Sequence, residues 1–119
     1  MMRLAFALTM LLCGSAAAQQ AVDKGTGAVL RGLDKVGGHV VDMTLRNGES
    51  SSLGRLTVRL GECRYPEGDP AADAYAFLTV EEEGHEAPVF QGWMIASSPA
   101  LNAMEHARYD VWVMRCKTD

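Results

Sequence analysis

The chain has 119 residues, with 15 acidic and 11 basic side chains and a net charge of -4 at pH 7, a size that fits one domain. That charge leaves no basic face large enough to neutralise many phosphates, which excludes nucleic acid and anionic lipid as principal partners. With 48% hydrophobic residues and 12 glycines, the composition is that of a globular protein.

Arg3 precedes the apolar run Leu4 to Leu12, and the small residues Gly14 to Ala18 follow. This order predicts a secretory signal peptide over residues 1–18, cut between Ala18 and Gln19, and hence export. A retained membrane anchor needs about 20 apolar residues, roughly twice this run. Lipidation of Cys13 requires a small residue before it, and Leu12 stands there. Residues 19–27, polar and without an apolar period, are predicted to form a flexible leader. Residues 28–119 are predicted to form a single β-rich domain. After cleavage only Cys63 and Cys116 remain, and an oxidising compartment predicts a bridge between them. Closing a loop of about 54 residues is worth roughly 4 kcal/mol in the chain-entropy model.

Strand patterns follow in chain order. Val29 to Asp34 and His39 to Leu45 have strand composition, and Asn47-Gly48 marks a turn whose neighbours Glu49 to Ser52 suggest a connection longer than two residues. Leu56 to Leu60 alternates, placing Leu56, Val58 and Leu60 inward and Arg55, Thr57 and Arg59 outward. Strict alternation then turns Cys63 outward, unless Gly61 is a bulge that resets the phase. Tyr65 to Pro70 is turn-rich, Ala74 to Val80 is a strand, and Glu81 to Glu86 is an acidic turn. After the strand Val89 to Ile95, Ser98 can cap and Pro99 can open a short helix over residues 99–104. In Tyr109 to Cys116, Trp112, Met114 and Cys116 share one face while Tyr109, Val111 and Val113 share the other, the pattern of a central strand. The expected fold is all-β: a small, mainly antiparallel sandwich or barrel of about six strands with one short helix.

Four blocks carry a resemblance: Gly61 to Pro66, Asp73 to Leu78, Gly92 to Asn102 and Tyr109 to Cys116. Together they resemble the domain of unknown function 2155 family, small exported proteins of Gram-negative bacteria, over about Leu33 to Cys116. The resemblance implies a periplasmic location and an accessory place on the periplasmic face of respiratory complex I. It implies no reaction and no catalytic residues.

Ser97, Ser98, His106 and Asp110 contain the residue types of a hydrolase triad, but capping already accounts for Ser98, and a nucleophile needs a base, an orienting acid and oxyanion donors from separate elements. His39, His85 and His106 lack the spacing of zinc ligands, and neither remaining cysteine lies in a Cys-x-x-Cys pair. Asp69, Asp73 and Glu67 lack the alternation of a calcium loop, and Glu81 to Glu83 reads as a charged loop tip. No catalytic residue, metal or cofactor is therefore expected. If the bridge forms, Arg64 and Arg115 are drawn toward one surface, unless each pairs with a carboxylate such as Glu62 or Glu67. The expectation is a non-enzymatic module that docks to another protein through Trp93, Pro99, Ala100, Leu101 and Asn102, with Arg64 and Arg115 as anchors. The alternative is a cell-envelope hydrolase using Ser98 and His106, or a carbohydrate-binding module using Trp93.

Overall fold

A computed structural model describes residues 21–119; the signal peptide expected over residues 1–18, with Cys13, lies outside the described residues. Among the described residues there are eight strands: β1 Val22–Lys24, β2 Gly27–Asp34, β3 His39–Arg46, β4 Ser50–Leu53, β5 Leu56–Pro66, β6 Tyr75–Glu82, β7 Phe90–Ile95 and β8 Tyr109–Lys117. All pairings are antiparallel. The larger sheet runs β1-β5-β6-β7 with β4 also on β5, and the smaller runs β3-β2-β8. The all-β, antiparallel expectation holds.

Long β5 organises the larger sheet. One of its edges takes β6 along nearly its whole length, and the other is shared by two short strands, β4 beside Leu56 to Arg59 and β1 beside Arg64 to Pro66. Between them, Leu60 exchanges backbone hydrogen bonds with Gly48 and Glu49, and the Cys63 carbonyl accepts from Gly25. Inward side chains of the two sheets form one core that includes Leu30, Met43, Leu45, Leu53, Leu56, Val58, Leu60, Leu78, Val80, Met94, Val111 and Val113. Leu56, Val58 and Leu60 point inward as their alternation requires.

Several local expectations are corrected. The leader drawn over residues 19–27 is paired from Val22 onward, because β5 supplies an edge on which a polar segment can satisfy its backbone. β4, Ser-Ser-Ser-Leu, has little strand propensity and forms for the same reason, which raises the strand number above six. Tyr65 and Pro66 extend β5, and Glu81 and Glu82 extend β6 beyond their turn-like composition. No helix forms over residues 99–104. Leu101 N–H donates to the Ser98 carbonyl in a single turn, Asn102 is tied to β7, and Met104 is buried in the core. A segment this short cannot recover helix nucleation, so these tertiary contacts win.

β8 is an edge strand of the smaller sheet rather than a central one, and its apparent two-faced apolarity has a geometric source. The β2–β8 register shifts between Val29 and Leu30, passing from Arg115 to Val113 and leaving Met114 as an extra residue. This bulge moves Cys116 from the face of Trp112 to that of Val113. A matching shift between Leu60 and Glu62 makes Gly61 a bulge and turns Cys63 inward. Cys63 and Cys116 are joined by a disulfide, Cα atoms 5.6 Å apart, that ties the larger sheet to the smaller.

Candidate functional site

Because Cys63 points inward, its neighbours Glu62 and Arg64 project from the outer face of the larger sheet. Cross-strand register sets Glu62 beside Phe77, Phe77 beside Trp93, and Arg64 beside Tyr75. The Arg64 guanidinium lies over the Trp93 ring, 4.9 Å from its centroid, within the range of cation–π attraction. Phe77 meets the same ring edge-on at 5.4 Å, an arrangement favoured by the aromatic quadrupole. Arg64 also donates to Glu62 Oε1 at 2.7 Å, and Lys24 Nζ lies 3.4 Å from Glu62 Oε2. The Arg64 hydrogen bond holds the Glu62 carboxyl below its ordinary range, against a partial burial that would raise it. Gly61 lets this cluster settle: a Cβ there would stand 3.2 Å from Phe77 Cδ1.

The loop after β7 joins the cluster at its edge. Asn102 Nδ2 donates to the Trp93 carbonyl at 2.8 Å, while Leu101 is 73% exposed. Pro99 and Ala100 line, with Ala103, Asp110, Val111 and Trp112, a shallow hollow of about 420 Å³ beside β8. Arg64, Trp93 and Asn102 are thus brought together, with Pro99 to Leu101 on the adjoining loop. Arg115 is not. It follows the Met114 bulge and borders hollows with Pro70 and Ala71 at the smaller sheet. Since Cys63 and Cys116 face inward from opposite sheets, their neighbours Arg64 and Arg115 diverge, so the expectation of one shared arginine surface is corrected. Glu62, Phe77 and Lys24 were missed as members of the cluster. The Gly61 bulge was the available signal, since it decides the face on which residues 62 and 64 emerge.

The residues weighed for hydrolysis have other employment. His106 Nδ1 accepts from the Arg108 and Tyr109 amides at 3.0 and 3.2 Å, so its Nε2 carries the proton and donates to Glu82 Oε2 at 3.2 Å. Both ring nitrogens are occupied, which leaves none to activate a serine. Ser97 Oγ donates to Asp73 Oδ2 at 2.6 Å, and Asp73 Oδ1 also accepts from the Ala74 and Ser97 amides. Burial pushes the Asp73 carboxyl upward, but those hydrogen bonds outweigh it and hold it below the ordinary range. Asp110 Oδ1 accepts from the Val111 amide, and Ser98 sits in the turn closed by Leu101. His85 reaches the same Glu82 oxygen at 3.7 Å. No group of three or more metal-ligating side chains occurs among the described residues. Nor is any helix there long and apolar enough to cross a membrane.

Comparison with known proteins places these residues within a bacterial family. The pattern of the family described as an uncharacterized protein conserved in bacteria (DUF2155) matches residues 28–116. The chain belongs to this family. A curated relative, the uncharacterized protein RP359 of Rickettsia prowazekii (strain Madrid E), is 30% identical over 87 residues, which cover 71% of this chain and 56% of the relative. The chain thus spans little more than half the length of the relative it matches. No solved structure matches it. The DUF2155 match begins within β2 and ends at Cys116, so it takes in both bulges and both cysteines.

Proposed function

We propose that this DUF2155 protein is exported to the periplasm and acts there as a non-enzymatic docking module, with Arg64 stacked on Trp93 at the centre of its protein-binding face. The stack is the observation that carries this reading. Arg and Trp are the residue types most often found to dominate binding energy, and here neither has to be ordered when a partner arrives. Glu62 and Phe77 hold the pair, the sheet beneath is stapled by the Cys63–Cys116 bridge, and Asn102 fixes the backbone of Trp93. Pro99, Ala100 and Leu101 extend the face along the adjoining loop.

A carbohydrate-binding role is less well supported, because sugar stacking needs an open aromatic face and the Arg64 guanidinium lies over the Trp93 ring. Hydrolysis is disfavoured by the occupied nitrogens of His106. In the docking reading the partner is an inner-membrane complex, and the accessory position on respiratory complex I implied by the family resemblance is the first to test. The experiment is affinity purification of the tagged chain from gently solubilised membranes, beside Trp93→Ala and Arg64→Ala variants of equal abundance. Both variants are expected to lose a partner that the parent retains. Unchanged recovery of that partner by both variants, or no reproducible partner for the parent, overturns the reading. Intact mass of the native protein tests export, since a cleaved leader leaves Gln19 as the first residue.

A further inference from the structure

Every open sheet has edges, and unpaired backbone groups along them are templates for another strand. Most edges of this molecule are managed. β1 and β4 are only 3 and 4 residues long. On β7, the Trp93 carbonyl accepts from Asn102 Nδ2. On β8, the Asp110 carboxylate takes the Val111 amide and the Met114 bulge breaks the line. Strand β3 differs: it has 8 residues, pairs among the described residues only with β2, and contains no proline, lysine or register shift.

The groups it offers follow from alternation. Asn47 N–H donates to the Thr26 carbonyl, on the side of β2. Residues in phase with Asn47, namely Leu45, Met43 and Val41, therefore bond to β2, and those out of phase face away. Arg46 agrees, since its amide donates instead to Glu49 Oε2 at 3.0 Å and closes that end of the edge. The amides and carbonyls of Val40, Asp42 and Thr44 thus point outward along the free edge. Apolar exposure is concentrated at the same place: Val36 is 74%, Val40 59% and Val41 43% exposed, all in the β2–β3 hairpin.

We infer that the free edge of β3 is a strand-addition site for an extended segment of another protein, with an apolar side chain opposite Val40 and a lysine or arginine opposite Asp42. Charge decides against a second copy of this chain. The self-pairing register that uses every free group sets Asp42 opposite Asp42 of the copy, and like charges directly opposed destabilise a ladder. Arg31 already holds one side of Asp42, at 2.8 Å, and a cation on the added strand would complete the row Arg31–Asp42–cation across the outer face. Backbone pairing supplies affinity, and the Val40 and Asp42 positions supply selectivity. This surface belongs to the smaller sheet and is separate from the Arg64–Trp93 face, so either can fail without the other.

The test uses a fluorescent synthetic peptide with the core Thr-Val-Lys-Val-Val, which aligns antiparallel with Thr44 to Val40. Two controls accompany it: one N-methylated at the Thr, the Lys and the last Val, and one with the Lys replaced by Glu. Saturable binding with amide resonance changes concentrated on β3 is expected, weakened about tenfold by either control, the equivalent of roughly one hydrogen bond or ion pair. Val40→Pro removes a donor from the free edge while leaving the β2 ladder intact, and is expected to weaken binding similarly. Because the N-methylated peptide makes the same test on the unaltered protein, the outcome does not depend on that variant folding. No saturable binding by ~1 mM, equal binding of the N-methylated peptide, or resonance changes away from β3 overturns the proposal. So does a concentration-dependent dimer that Val40→Pro abolishes, which would place a second copy on this edge.

Discussion

Cys63 and Cys116 meet inside the sandwich because each has been rotated by one residue: the Gly61 bulge turns the first inward and the Met114 bulge turns the second. Neither cysteine faces the core in a regular strand. The bond also joins strands from different sheets, so it fixes the sheets against each other rather than reinforcing a ladder that hydrogen bonds already hold.

Removing the bridge is therefore expected to be costly. For cysteines 53 positions apart, the loss is about 4 kcal/mol in the chain-entropy model. Urea unfolding of the Cys63→Ala, Cys116→Ala double variant, or of the parent under reductant, measures this through the transition midpoint.

Deleting Gly61 separates the role of the bulge from that of the sulfur. Removing the unpaired residue leaves a regular β5 in which Leu60 points inward, Glu62 outward and Cys63 inward, with Glu62 still opposite Phe77 and Arg64 still opposite Tyr75. Alkylation without reductant is expected to label neither thiol in the deletion variant or in the parent, and labelling of both in the variant would show that the bulge residue itself is needed to set Cys63 inward.

Gly54 has φ of 56°, and a Cβ added there would fall on the hydroxyl of Tyr109. That hydroxyl accepts from the Arg55 amide at 3.3 Å, pinning the β4–β5 turn to the start of β8. Gly54→Ala is expected to destabilise the fold by about 1–3 kcal/mol through combined strain and displacement of the ring. Tyr109→Phe removes only the acceptor and is expected to cost about 1 kcal/mol. Thermal or urea unfolding of the two variants gives the order.

Asp34 provides the pH dependence. Its carboxyl is lowered from 3.8 to about 2, first by the hydrogen bond from Arg108 and then by the Gly37 amide. A depressed carboxylate contributes stability that is fully present above its unfolded value and is lost as pH falls through the folded one. Stability is thus expected to decline between pH 3.8 and about 2. Asp34→Asn is expected to flatten that part of the curve and to leave Arg108 without its bidentate partner. Urea midpoints for parent and variant across this window measure the difference.

Legibility followed the kind of force that acts on each segment. Leu56 to Leu60 was readable because its pattern records burial of alternate side chains against the other sheet. Val22 to Lys24 and Ser50 to Leu53 were not, since their own side chains prefer nothing and both become strands only because β5 presents unpaired backbone. The segment after Ser98 has a good helix start, but Asn102 and Met104 are engaged by β7 and the core before a helical turn could repay its nucleation. Within the candidate site, Trp93 and Arg64 were noticed as residue types suited to binding. Their stacking was not predicted, because it depends on which face of β5 residue 64 occupies.

Residues alone determined that this chain would be all-β, that Cys63 would pair with Cys116, and that it belongs with the DUF2155 sequences. These rest on side-chain periodicity, composition and contiguous identity, which are properties of the chain itself. Tertiary structure alone decided the two bulges, the divergence of Arg64 from Arg115, the occupied nitrogens of His106 and the open edge of β3. Each depends on register between strands far apart in sequence. A one-residue shift there exchanges inside for outside without leaving any mark on local composition.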